Sequence, residues 1–112
     1  MNKSYSSSIK MNKQAHIELN KKVISDGYGM RGKSKWITEA IATFLSLPDY
    51  IEFVNLANDD EGMDDVIAFR LSNELVRKLD AAIVSVRTEY PAMEGVRSKI
   101  IRASILQRLI RG

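Results

Sequence analysis

Apolar residues recur along this chain with two different periods, and each change of period marks an element. From Gln14 to Leu19 the pattern alternates, with Ala15, Ile17 and Leu19 on one face and Gln14, His16 and Glu18 on the other, which is the period of a strand. Asn20 then offers an N-cap, Val23 and Ile24 open a short helix, and Gly27 and Gly29 end it. Ser34 caps a second helix whose apolar residues Ile37, Ala40, Ile41, Phe44 and Leu45 fall on one stripe, and Pro48 closes it. Further on, Ile67, Phe69 and Leu71 alternate with Val66, Ala68 and Arg70 in a second strand, and Ser72 or Asn73 caps the helix that follows. That helix carries Leu75, Leu79, Ile83 and Val86 and stops before Pro91, and Gly95 precedes a last helix with Ile101, Ile105 and Leu109 on one stripe.

The order strand, helix, helix therefore occurs twice, over residues 13–47 and 65–112. A shift of 52 residues lays Ala15, Ile17, Leu19, Asn20 and Val23 on Ile67, Phe69, Leu71, Ser72 and Leu75, and a shift of 64 lays Ser34 to Ile37 on Ser98 to Ile101. The fit is imperfect, since Ala40 meets Ser104 and Phe44 meets Arg108. A lone strand leaves backbone N–H and C=O groups unpaired, and about 45 residues cannot close a core. Two copies remedy both defects, which predicts one mainly α domain with a two-stranded antiparallel β-ribbon, inner face on the helices and outer face in solvent. Residues 1–12, rich in Ser and Lys without a period, read as a disordered basic arm, and residues 48–64 as an acidic linker.

Charge sharpens this division. The net charge of +3 is the balance of a first stretch, residues 1–49, at +4, a strip over 50–65 at −6 with no base in it, and a last stretch at +5. Two basic modules with the acidic strip held away suit a polyanionic partner. The 112 residues include no cysteine and a single histidine, so disulfide scaffolds, thiolate metal sites, cysteine nucleophiles and multi-histidine metal clusters are excluded. No apolar run approaches the roughly 18 residues of a membrane span. The first eight residues lack a signal-peptide core, so the expected location is the cytoplasm.

Three segments carry a resemblance: Ile67 to Leu75 as a strand running into a helix, and Gly32 to Ile41 and Arg97 to Ala103 as basic helix starts with a Ser. Together they resemble the ribbon-helix-helix family of DNA-binding proteins, over most of residues 13–46 and 65–111. Two copies in one chain are similar to the TraY-like kind, accessory proteins of plasmid conjugation, and Phe44 to Tyr50 is similar to how those copies end. The resemblance implies a tandem (βααβαα) fold without enzymatic activity or cofactor. It implies a sequence-specific protein of double-stranded DNA, either a transcriptional regulator or a relaxosome accessory factor of a conjugative element. Further copies on adjacent sites, and a relaxase or other transfer protein, would be its other partners. By position, Gln14, His16, Glu18, Val66, Ala68 and Arg70 would face the bases. Lys33, Ser34 and Lys35, with Arg97, Ser98 and Lys99, would meet phosphates at the helix starts. Glu18 can accept from cytosine N4, and Val66 and Ala68 suit thymine methyls.

Other readings of the same residues are weaker. Gly27 to Ser34 matches the P-loop pattern of nucleotide-binding enzymes, but a P-loop follows a buried parallel strand, and only Val23 and Ile24 precede this one. Asp59-Asp60-Glu61-Gly62 fails as a calcium loop, because Ala57 and Ala68 would occupy its first and last ligand positions. Trp36 suits a half-buried structural role better than a partner anchor. An antitoxin or interaction module, using the ribbon to oligomerise, is the alternative function. Its spare apolar segment, Tyr50 to Leu56, would pack on the module's own flank or dock another protein.

Overall fold

The computed structural model describes residues 4–29, 31–57 and 63–111. Among them the order is β1 (Ser4–Met11), α1 (Lys13–Ser25), α2 (Lys33–Leu45), α3 (Tyr50–Leu56), β2 (Asp65–Ser72), α4 (Asn73–Glu89) and α5 (Val96–Arg111). The fold is mainly helical, with one two-stranded antiparallel sheet in which β1 pairs with β2 along all eight residues of each strand. Tyr5 faces Leu71, Ser7 faces Phe69 and Ile9 faces Ile67, so the inward face is apolar toward one end and thins to serine and a half-exposed tyrosine at the other.

The first strand is not where the alternation of residues 14–19 puts it. That segment is the start of α1, and the strand is Ser4–Met11, inside the stretch read as a disordered arm. Ala15, Leu19 and Val23 stand at i, i+4 and i+8, so a helical stripe was as available as a strand face. Ile17, assigned to the core, is 39% exposed, whereas Leu19 and Val23 are buried. The N-cap decides between the periods: Asn12 is extended and its Oδ1 accepts from the Gln14 N–H at 2.8 Å, which starts a helix at Lys13. Asn20, expected to be a cap, lies inside α1.

The turn after α1 uses its glycines. Gly27 and Gly29 have φ of +85° and +74°, conformations that L side chains rarely adopt, and the Tyr28 N–H reaches back to the Val23 carbonyl at 3.1 Å. The N-cap of α2 is Gly32 and not Ser34; a Cβ at Gly32 would lie 2.3 Å from the Tyr28 carbonyl oxygen, so only glycine fits there.

The linker also contains structure. Pro48 ends the approach from α2, and Tyr50–Leu56 folds as α3 against the end of α2: Val54 is fully buried, and the Tyr50 and Phe53 rings lie 6.2 and 6.4 Å from that of Phe44. Part of the apolar segment thus packs on the chain's own flank, while Leu56 is exposed. Asp59, Asp60 and Glu61, half of the acids of that strip, and Gly62 lie outside the described residues.

One core joins all elements. Ile9 and Met11 of β1 and Ile67, Phe69 and Leu71 of β2 pack with Leu19, Ile37, Ile41, Leu79, Ile101 and Ile105 from the longer helices, all at 3% exposure or less. Trp36 is completely buried in this core, which rules out both the half-buried role and the surface anchor. A variant lacking residues 1–11 should therefore not fold as the full chain does, because β2 loses its only partner strand among the described residues and the core loses Ile9 and Met11. Cooperative thermal unfolding followed by circular dichroism, with a midpoint unchanged from the full chain, would show that β1 contributes nothing.

Candidate functional site

The outer face of the ribbon is built by the strand period. With Ile9, Met11, Ile67, Phe69 and Leu71 turned inward, Ser4, Ser6, Ser8 and Lys10 of β1 and Val66, Ala68, Arg70 and Ser72 of β2 are all exposed. Across the strands Ser6 faces Arg70, Ser8 faces Ala68 and Lys10 faces Val66. The surface is small, polar and cationic, and Val66, 58% exposed, is its one large apolar side chain among the described residues. Arg70 lies along it, its Nε donating to the Ser4 hydroxyl at 3.2 Å.

A helix start is fastened to each edge of the ribbon. On the β2 edge the Arg70 N–H donates to Ser34 Oγ at 3.0 Å, and Thr38 Oγ1 lies 3.4 Å from the Arg70 carbonyl. Ser34 thus spends its hydroxyl lone pair on the neighbouring strand and not on capping its own helix, which has no side-chain cap. On the β1 edge Arg97 donates to the Ser7 hydroxyl, and Arg102 Nη1 donates to the Lys10 carbonyl at 3.4 Å. Both anchored helix starts are basic: Lys33 and Lys35 flank Ser34, and Arg97 and Lys99 flank Ser98. Lys35 is exposed, and the other five are half-buried.

Of the residues expected to face the bases, Val66, Ala68 and Arg70 lie on the ribbon's outer face, and Gln14, His16 and Glu18 do not. Those three belong to α1. Gln14 Nε2 donates to Glu18 Oε1 at 3.1 Å on the exposed side of that helix, beside a groove bordered by Leu106, Leu109 and Ile110 of α5. His16 is half-buried, with Nδ1 3.2 Å from Asp65 Oδ2 and Nε2 3.2 Å from Lys33 Nζ. An ammonium can only donate, so in the contact with Lys33 it is Nε2 that accepts, and Nδ1 faces the carboxylate. His16 thereby ties the start of β2 to the start of α2.

Ser6, Ser8 and Lys10 take the places that the α1 residues lose. Their signal in the sequence is faint: Ile9 and Met11 stand two apart just before the cap Asn12, as Phe69 and Leu71 do before the cap Ser72. Five residues of low strand propensity precede or interrupt that pair, and they hide it.

A second set of polar contacts holds the loop from which α2 begins. Trp36 Nε1 donates to Asp26 Oδ2 at 2.9 Å, and Lys22 Nζ lies 3.2 Å from the other carboxylate oxygen. Arg108 of α5 donates to the Trp36 carbonyl at 2.7 Å and to the Tyr28 hydroxyl at 2.8 Å, and the Tyr28 hydroxyl donates to Glu39 Oε2 at 2.7 Å. The guanidinium also lies 4.5 Å from the centre of the Trp36 ring. The helix α1, not a buried strand, leads into this loop, so the setting that a P-loop requires is absent. Among the described residues there is no group of three or more His, Cys, Asp or Glu able to hold a metal, and no helix is long and apolar enough to cross a membrane.

Comparison with protein-family models, curated proteins and solved structures yields no match to this chain.

The Trp36 indole N–H is the main reason that the Asp26 carboxyl titrates below its ordinary 3.8; Lys22 and Arg108 add to the effect, and partial burial opposes it. A pKa lower in the folded chain gives stability that is present above 3.8 and is lost as the pH falls through the folded value. Asp26→Asn should be less stable than the wild type at neutral pH, and the difference should shrink in acid. Urea unfolding at a series of pH values measures it; a difference that is constant with pH would mean that the ionised carboxylate contributes nothing.

Proposed function

We propose that this chain is a sequence-specific, non-enzymatic protein of double-stranded DNA with a tandem ribbon-helix-helix (βααβαα) architecture, α3 being an insertion between the two copies. Supporting the duplication, a shift of 60 residues superimposes β1 on β2 and the caps Asn12 on Ser72, whose side chains each accept a backbone N–H of the first helical turn. The same shift lays Leu19 on Leu79. α4 is 17 residues long against 13 for α1, a difference of 4 or about one turn, after which a shift of 64 relates α2 to α5. The bonds repeat as well: Thr38 with the Arg70 carbonyl corresponds to Arg102 with the Lys10 carbonyl, both at 3.4 Å.

The observation that carries the DNA reading is the ribbon's outer face, whose small, hydroxylated and cationic side chains no other described element covers. A two-stranded ribbon is narrow enough for the DNA major groove, where an arginine or lysine recognises guanine and a hydroxyl recognises any base. The two basic helix starts flank it as a pair of phosphate clamps, and their free N–H groups favour anions. In this reading Ser6, Ser8, Lys10, Val66, Ala68 and Arg70 face the bases, and Lys33, Ser34, Lys35, Arg97, Ser98 and Lys99 face the backbone. The resemblance to conjugation proteins favours action at a promoter or a transfer origin of a conjugative element. Of the apolar segment that an interaction module would use, Val54 is buried within the chain and Leu56 is exposed.

Affinity for duplex DNA should fall with salt, log affinity against log salt having a slope of about −0.9 for each phosphate neutralised. Lys35→Ala should weaken cognate and random duplexes alike and reduce that slope by about one. Arg70→Ala should leave random DNA bound as before and cost about 1–3 kcal/mol of discrimination at one base pair. Fluorescence anisotropy titrations over a salt series distinguish these effects. A salt-independent affinity, or equal loss on both duplexes for Arg70→Ala, contradicts the reading.

A further inference from the structure

The two ends of the ribbon's outer face are not alike. Ser8 faces Ala68 across the strands, and the 60-residue shift that superimposes β1 on β2 also carries Ser8 onto Ala68. A pseudo-twofold axis therefore passes through this pair. On one side of it Arg70 faces Ser6, and on the other Lys10 faces Val66. The axis carries Lys10 onto Arg70 and Ser6 onto Val66, so each half presents one cation and one short side chain of different chemistry.

Those differences matter to a base pair. Arg70 has its Nε engaged by Ser4, which leaves both Nη nitrogens as a planar fork suited to guanine O6 and N7, while Ser6 beside it can donate or accept. Lys10 offers a point charge to the same guanine atoms. Beside it the hydrocarbon of Val66 matches only the thymine C5-methyl among groups in the major groove. We propose that one copy of the chain recognises an imperfect inverted repeat, with a cation-read guanine on each side of the centre but a methyl-read thymine on the Lys10–Val66 side alone. It therefore binds in a single orientation. The inference rests on the DNA-binding reading above and adds to it a polarity that a symmetric pair of identical strands cannot have.

Because the chain has no cysteine, orientation can be read directly. Duplexes would be selected from a random pool with the full-length protein. Arg31→Cys, an exposed position three residues before Ser34, whose hydroxyl accepts the Arg70 N–H, would then be labelled with an iron–EDTA cleavage reagent. The expected result is a site with unlike halves, cut on one side of its centre by about tenfold over the other. Adding Lys10→Arg and Val66→Ser, which make the halves chemically alike, should bring cutting on the two sides close to equal. A selected site that is a perfect palindrome, or equal cutting by the protein carrying Arg31→Cys alone, would overturn the polarity while leaving DNA binding intact. Failure of the selection to enrich any duplex removes the DNA reading itself, and this proposal with it.

Discussion

Everything in this fold depends on the backbone pairing of β1 with β2. Neither strand has another partner among the described residues, and each would otherwise leave a row of unsatisfied N–H and C=O groups against an apolar core. The pairing fixes the register, and the register fixes which residues turn inward; a slip of one residue would bury Arg70 and expose Phe69. The helix starts then take their positions from the strands, because Ser34 and Thr38 bond to the Arg70 backbone and Arg102 to that of Lys10. Side-chain chemistry on the outer face is thus set by bonds that do not involve those side chains.

The second strand and both of its helices were legible because they satisfy local and global demands at once. Ile67, Phe69 and Leu71 are β-branched, aromatic or large and alternate cleanly, and Ser72 caps the helix just after them. The first strand satisfies only the global demand. Four serines among its eight residues supply no apolar signal, and their strand conformation comes from β2, a contact of long sequence separation. The alternation of Ala15, Ile17 and Leu19 misled because six residues are too few to separate a period of 2 from one of 3.6. The consequence for the site was direct: half of the proposed base-facing set moved from Gln14, His16 and Glu18 to Ser6, Ser8 and Lys10, while Lys33-Ser34-Lys35 and Arg97-Ser98-Lys99 do lie in the first turns of α2 and α5, the cap of α2 being Gly32.

Phe44 and Arg108, which a shift of 64 residues lays on one another, serve packing in different ways. Phe44 receives the rings of α3, while Arg108 crosses to Trp36 and Tyr28. One substitution thereby gives the first half a flank for α3, and gives the second half an arginine that secures the loop before α2. A half-buried guanidinium is tolerable here because the Trp36 carbonyl, the Tyr28 hydroxyl and an aromatic face replace part of its water.

The distance along the chain between the paired strands has a further consequence, which concerns synthesis. Ser8 and its partner Ala68 are sixty residues apart, so at about 5–20 residues per second β1 leaves the ribosome roughly 3–12 s before its partner exists. During that interval Ile9 and Met11 have no sheet to join, and α1 and α2 have only half a core. On a polysome the nearest completed β2 can belong to the neighbouring nascent chain. Exchange of β1 between copies would satisfy the same register, and the serine-rich composition of the strand, poor in the apolar residues that favour aggregation, keeps the waiting segment soluble until its own partner emerges.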